Sequence, residues 1–169
     1  MFKCLPICIF SWVLLLVLLF LQKLSIILGH SFILIFMNIL IAGGAGFLGS
    51  NFAAYFLDRG HTVVAIDNLI TGEIENIRAL EQNASFTFIE GDICNTELIV
   101  FLGKTYSFDR VYDFACPTGV PNIAADKLGE LMLDTCTIGV RNLLNLARTH
   151  KAKFFHASSA EVYGEPEVS

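Results

Sequence analysis

Three glycines spaced three apart, Gly43, Gly46 and Gly49, directly follow an apolar run at residues 38–42, and Asp67 closes a second apolar run at residues 62–66. These residue types at this spacing suit the two halves of a dinucleotide. Gly43 allows a sharp turn off the end of a strand, Gly46 carries no side chain to hold the backbone away from a pyrophosphate, and Gly49 permits close helix packing. A helix opening near Phe47 would aim unpaired N–H groups and the positive end of its dipole at the phosphates, so no lysine is needed beside them. Asp67, roughly twenty residues on, can accept hydrogen bonds from both hydroxyls of an adenosine ribose. A carboxylate there repels a 2′-phosphate, which favours NAD over NADP. Alone, the glycine triplet is also what any tight strand-to-helix turn requires; strand, turn, helix, strand and acid in order point to the nucleotide.

The elements that must position these residues alternate along the chain. Strands are predicted at 38–42, 62–66, 86–90, 110–114 and 153–157. Helices are predicted at 47–58 with Gly60 as its stop, briefly around 73–81, at 96–102, and from 126 to about 150. In the last, Leu128, Leu131, Met132, Thr135, Leu143 and Leu146 fall on helical spacing and should face the sheet or a partner helix. Such alternation predicts a parallel sheet with helices on both faces. Functional residues then belong at the carboxyl ends of the strands, and Asp67 and Asn68, Asp92 and Ile93, Ala115 and Cys116, and Ser158 and Ser159 all fall there. Taken singly, each is also an ordinary turn former.

Composition narrows the classes. At 169 residues the chain can build one domain with a real core, and a net charge of -5 offers no basic stripe for a nucleic acid backbone. Hydrophobic residues make up 54%, and most of the excess lies before residue 37. Residues 1–36 carry only Lys3 and Lys23, and the apolar stretch within 5–28 is long enough for a candidate membrane anchor. No small-residue cleavage site follows, which disfavours a signal peptide. The competing account is a misassigned start, with the protein proper beginning at Met37 directly before the first strand. The expected division is therefore 1–36, a hydrophobic segment, and 37–169, a nucleotide-binding domain. The five cysteines are odd in number and form no C-x-x-C pair, and the four histidines are scattered, so neither a disulfide framework nor a metal site is indicated. A reducing, cytoplasmic setting is expected, with the hydrophobic start as the one feature that could tether the chain to a membrane.

The segments GGAGFLGSN, DNLITGEIENI, EGDI, FACP and SSAEVYGEP occur in this order between Gly43 and Pro166. In that order they resemble the NAD-dependent nucleotide-sugar epimerase/dehydratase family, the extended short-chain dehydrogenases. Within it, ACPTGVP resembles a segment of UDP-glucuronate decarboxylases. The resemblance implies an α/β fold, a doubly wound parallel Rossmann sheet with five strands present and the family's C-terminal strands and substrate domain absent. It implies NAD as cofactor, with Gly43, Gly46, Phe47 and Leu48 at the pyrophosphate, Asp67 and Asn68 at the ribose, and Thr71 and Gly72 nearby. Asp92 and Ile93 would flank the adenine, and Ala115 would line the way to the nicotinamide. Ser159 matches the family's catalytic Ser/Thr, and Glu161 matches the glutamate of the decarboxylases and dehydratases. The implied partner is a nucleotide-sugar, most simply a UDP-sugar, and the implied chemistry is oxidation at sugar C4 to a 4-keto intermediate.

Two departures qualify this. The family's base is a tyrosine with a lysine four residues later, yet Tyr55, Tyr106, Tyr112 and Tyr163 are followed at that distance by Arg59, Arg110, Cys116 and Glu167. The chain alone is therefore expected to be inactive, and the rival reading is a non-catalytic NAD-binding regulatory protein. Cys136 stands where the family has an asparagine, and Ala160 replaces a proton-donating serine or aspartate, which shifts the reading toward an epimerase. The oligomeric state does not carry over.

Overall fold

The computed structural model describes residues 36–117, 125–159, 162 and 164. Within them the chain runs β1 (Asn38–Ala42), α1 (Phe47–Leu57), β2 (Thr62–Asp67), β3 (Phe86–Glu90), α2 (Thr96–Thr105), β4 (Arg110–Asp113), α3 (Ala125–Asp134), α4 (Val140–His150) and β5 (Lys153–His156). The five strands form one parallel sheet in the order β3-β2-β1-β4-β5. Chain order reverses at β1: β2 and β3 are added on one side, β4 and β5 on the other. This is the topological switch at which open α/β sheets hold their ligands.

Burial explains why the first strands read as continuous apolar runs. Leu40, Ala42, Val64 and Ile66 pack on one face against Ile99, Leu102, Leu143 and Leu146. Ile39, Ile41, Val63 and Ala65 pack on the other against Ala53, Phe56 and Leu57 of α1 and against Ile77. A strand covered on both faces has no polar side, so alternation is lost and only the run remains. The doubly wound parallel sheet expected from the sequence is the sheet found.

Local departures have physical causes. The short helix expected around 73–81 is instead two 3-10 turns, Ile74–Asn76 and Leu80–Gln82. The Glu73 N–H and the Asn76 amide both donate to Ala45 O, at 3.1 and 2.8 Å, so the segment is pinned to the glycine turn rather than wound freely. The helix expected over 126–150 is present but carries a π turn, Thr135–Gly139, between α3 and α4. There Gly139 lies against Ile93, where a Cβ would come within 2.6 Å of its side chain. The Asn142 amide donates to Ile93 O at 2.9 Å and Cys94 O at 3.3 Å. The wider turn changes the helical phase, so Leu143 and Leu146 are buried while Leu128, Leu131, Met132 and Thr135 are half-buried. Among the described residues no helix is long and apolar enough to cross a membrane, and the candidate anchor at 5–28 lies outside them.

Leu143 and Leu144 are adjacent but opposite in burial, at 0% and 46% exposed. Leu143→Ala should cost about 2–5 kcal/mol of unfolding free energy, and Leu144→Ala should stay within about 0.5 kcal/mol of the parent. Urea denaturation midpoints of the two variants check this.

Candidate functional site

β1 ends at Ala42, in register with Ile66 of β2 and Asp113 of β4, so the chain leaves three strands at one level. Gly43 turns the chain immediately there, with φ +74°, and the Gly43 and Gly44 N–H groups both donate to Ile66 O at 2.9 and 3.2 Å. A Cβ on Gly43 would meet the Phe114 carbonyl carbon at 2.8 Å, so the turn lies hard against the exit of β4. A Cβ on Gly49 would overlap the Gly43 carbonyl oxygen. Gly49 thus seats helix α1 on the turn itself rather than on a strand. Gly44, which the spacing did not single out, is equally constrained, with Ala65 Cβ 2.5 Å from where its own Cβ would be.

Helix α1 begins at Phe47 with Gly46 as its N-cap, no capping side chain and no acid in its first turn. The first N–H groups of a helix have no acceptor within it. By contrast α2 is closed by Asn95, whose Oδ1 accepts from the Leu98 N–H at 3.1 Å. The start of α1 has no such side chain. Phe47 and Leu48 line the cleft and are 79% and 48% exposed.

Asp67 ends β2 almost fully buried. Its Oδ2 accepts from the Ala45 N–H at 2.9 Å and its Oδ1 from the Leu69 N–H at 2.9 Å, so the carboxylate ties the glycine turn to the loop after β2. Leu69 takes a left-handed conformation there, φ 57°. A Cβ on Gly72 would lie 2.8 Å from Asp67 Oδ1, so Gly72 lets this loop fold back onto the carboxylate. Asn68 Nδ2 donates to Asp92 Oδ2 at 3.2 Å, and Asp92 Oδ1 accepts from the Cys94 N–H at 2.7 Å. The loops after β2 and β3 are thereby joined.

These elements enclose a cleft of about 380 Å³. Gly43, Gly46, Phe47, Leu48, Gly49, Asp67, Asn68, Thr71, Asp92, Ile93 and Ala115 line it, together with Cys116, Leu131 and Thr135, and among the described residues no lysine or arginine does. Gly72 sits behind Asp67 rather than on the wall. Ser159 follows β5, exposed, and is not part of this lining; its carbonyl accepts from the Val162 N–H at 3.3 Å. Glu161 lies outside the described residues. Two thiols at this end of the sheet, Cys94 and Cys116, are held protonated near neutral pH. Cys94 is pushed up to about 11 by burial and by the neighbouring Asp92, and Cys116 to about 11 by burial and by Cys136.

One pair was not read from the sequence. Asp113, at the end of β4 and 1% exposed, holds His156 Nδ1 of β5 at 2.8 Å and accepts the Ala115 N–H at 3.1 Å. Burial pushes its carboxyl above the ordinary 3.8, and the bonds from His156 and Ala115 hold the rise back. The available signal was an acid inside the otherwise apolar run VYDF.

A family profile for GDP-mannose 4,6 dehydratase matches residues 40–169, from β1 through the whole of this site. The chain belongs to that family. It is similar to UDP-glucuronic acid decarboxylase 1 of Danio rerio, 36% identical over 131 residues that cover 78% of this chain and 29% of the relative. Among solved structures it resembles the Bordetella bronchiseptica enzyme WbmG in complex with NAD, at TM-score 0.67 and 28% identity, covering 79% of this chain and 41% of that one. It also resembles a UDP-glucose-4-epimerase of Stenotrophomonas maltophila with bound NAD and formylated UDP-arabinopyranose, at TM-score 0.67 and 26% identity, covering 78% and 40%. The chain thus spans under a third of that curated relative and about two-fifths of those solved chains. The family expected from the ordered sequence segments is the family found.

The buried acid predicts a pH signature. Because its folded-state pKa is raised, the stabilisation tied to protonated Asp113 is full below the unfolded value and lost as the pH climbs through the folded one. The stability of the parent relative to Asp113→Asn should therefore be greatest near pH 3.5 and shrink toward pH 7. Urea midpoints for both proteins across that range measure it, and a constant difference would contradict the assignment.

Proposed function

We propose that residues 37–169 are the NAD-binding portion of an enzyme that oxidises a nucleotide-sugar at C4. One observation carries the reading: a buried carboxylate, Asp67, is hydrogen-bonded to the glycine turn beside an uncapped helix N-terminus, in a cleft whose described lining has no cationic side chain. Such a cleft suits a ligand with an anionic centre and a diol at one end. The fit to NAD is supported by Gly43 and Gly49, which leave no room for a Cβ, and by Gly46, where an added Cβ would meet, among the described residues, the Gly43 carbonyl oxygen at 3.3 Å.

The division of labour follows from position. The N–H groups at Phe47 and Leu48 would neutralise the pyrophosphate through the helix dipole. Asp67 spends one hydrogen bond per oxygen on the backbone, and each oxygen keeps capacity for a ribose hydroxyl. Asn68, joined to Asp92, would hold the same ribose, with Thr71 and Gly72 shaping the loop around it, while Asp92 and Ile93 flank the adenine. Ala115, fixed by Asp113, would border the path to the nicotinamide. Bound NAD supplies a hydride acceptor that later returns the hydride. Ser159 would orient the sugar hydroxyl, with Glu161 beside it. The similarity to UDP-glucuronic acid decarboxylases and to an epimerase with a bound UDP-sugar supports a UDP-sugar as substrate.

The 169 residues hold no tyrosine with lysine four residues on, the pair that would take the C4 hydroxyl proton. The chain by itself is expected to bind NAD without turnover.

Titration of the chain with NAD and NADP by calorimetry should show at least about a tenfold preference for NAD, a difference of about 1.4 kcal/mol. Equal affinities would remove Asp67 from the ribose. In a separate assay, incubation with NAD and UDP-glucuronate should leave the sugar unchanged; turnover well above background would show that another group serves as the base.

A further inference from the structure

The cleft carries a pair of groups that the nucleotide reading does not use. Cys116 leaves the end of β4 on the cleft wall, and Cys136 lies in the π turn, one residue beyond Thr135, which lines the same cleft. Twenty residues apart in sequence, their Sγ atoms are 3.6 Å apart. Cys116 is half-buried and Cys136 exposed, so one thiol meets solvent while the other waits behind it. A disulfide needs about 2.05 Å between sulfurs, which side-chain torsions and a small shift of the π turn can supply. Cys94, the other described cysteine, makes no sulfur contact of this kind among the hydrogen bonds of the described residues.

We propose that Cys116 and Cys136 are a reversible redox pair, closing to an intramolecular disulfide that joins the exit of β4 to the π turn across the rim of the cleft. The oxidant is a hydroperoxide. The Cys136 thiolate attacks its distal oxygen; the S–O bond forms, the O–O bond breaks, and the alcohol or water leaves with the proton that Cys136 gave up. The Cys116 sulfur then attacks the sulfenic sulfur; the S–S bond forms, the S–O bond breaks, and the hydroxyl departs as water with the Cys116 proton. Two thiols lose two electrons, and one peroxide becomes one alcohol, or water, and one further water. A dithiol reverses the change by exchange. Burial keeps Cys116 protonated near neutral pH, which leaves the first attack to the exposed partner and casts Cys116 as the resolving thiol. The pairing rests on the thiol geometry and not on what the cleft binds.

The test uses the full reduced chain, treated with one equivalent of hydrogen peroxide, alkylated and cut with trypsin, which separates residues 111–127 from 128–141. The expected result is a dominant species in which these two peptides are linked, absent after dithiothreitol, retained in Cys94→Ser, and absent in Cys136→Ser. The same treatment in 8 M urea should lower its yield at least severalfold, since the proximity is lost. Recovery of both peptides separately alkylated after peroxide, or linkage of Cys116 to Cys94 as readily as to Cys136, would overturn the proposal.

Discussion

The hydrogen bond from the Ala45 N–H to the Asp67 carboxylate is the constraint on which the rest of the site depends. It joins a turn at the end of β1 to an acid at the end of β2, two features separated by a whole helix in sequence. A carboxylate buried this deeply must find donors, because leaving it without them costs far more than one hydrogen bond returns. Its donors are backbone N–H groups on both sides, at Ala45 and Leu69, so the acid fixes the path of the chain around it. The Ala45 carbonyl is held in turn by Glu73 and Asn76. Turn, acid and following loop therefore form one bonded unit.

Much of this was legible in the sequence, because the information is local. An apolar run buried on both sheet faces, a glycine that must take positive φ, and an acid closing the next run each leave a mark within a few residues. The five strands, the order of helices and strands, and most of the cleft lining follow from such marks. What was not legible is set by contacts between distant segments. The 3-10 path of residues 74–82 comes from Asn76 reaching Ala45. The π turn comes from Gly139 meeting Ile93 and from Asn142 bonding the loop after β3. Asp113 with His156, and Cys116 with Cys136, are pairs brought together only when β4, β5 and the α3–α4 segment are packed. Spacing along a chain carries no trace of a partner twenty or forty residues away.

The two helix starts nearest the cleft show how the fold separates structure from function. Helix α2 is finished by its own side chain at Asn95, which satisfies a donor and needs nothing from outside. Helix α1 is left open, with glycine at its cap and no acid in its first turn. A capping serine or aspartate at Gly46 would compete with any anion for the same N–H groups. The absence of lysine and arginine from the described lining of the cleft fits the same arrangement, since the dipole and backbone donors provide the positive potential.

The central claim is that backbone N–H groups at the start of α1, held in place by Asp67, receive the phosphates. Backbone amide shifts followed by NMR while NAD is added test it most directly. The account predicts that the largest changes fall on the amides of Phe47 and Leu48, with smaller ones at Asn68 and Ile93. Unchanged amides at Phe47 and Leu48, with shifts gathered instead at the groove between α2 and α4 around Val100 and Asn145, would contradict it.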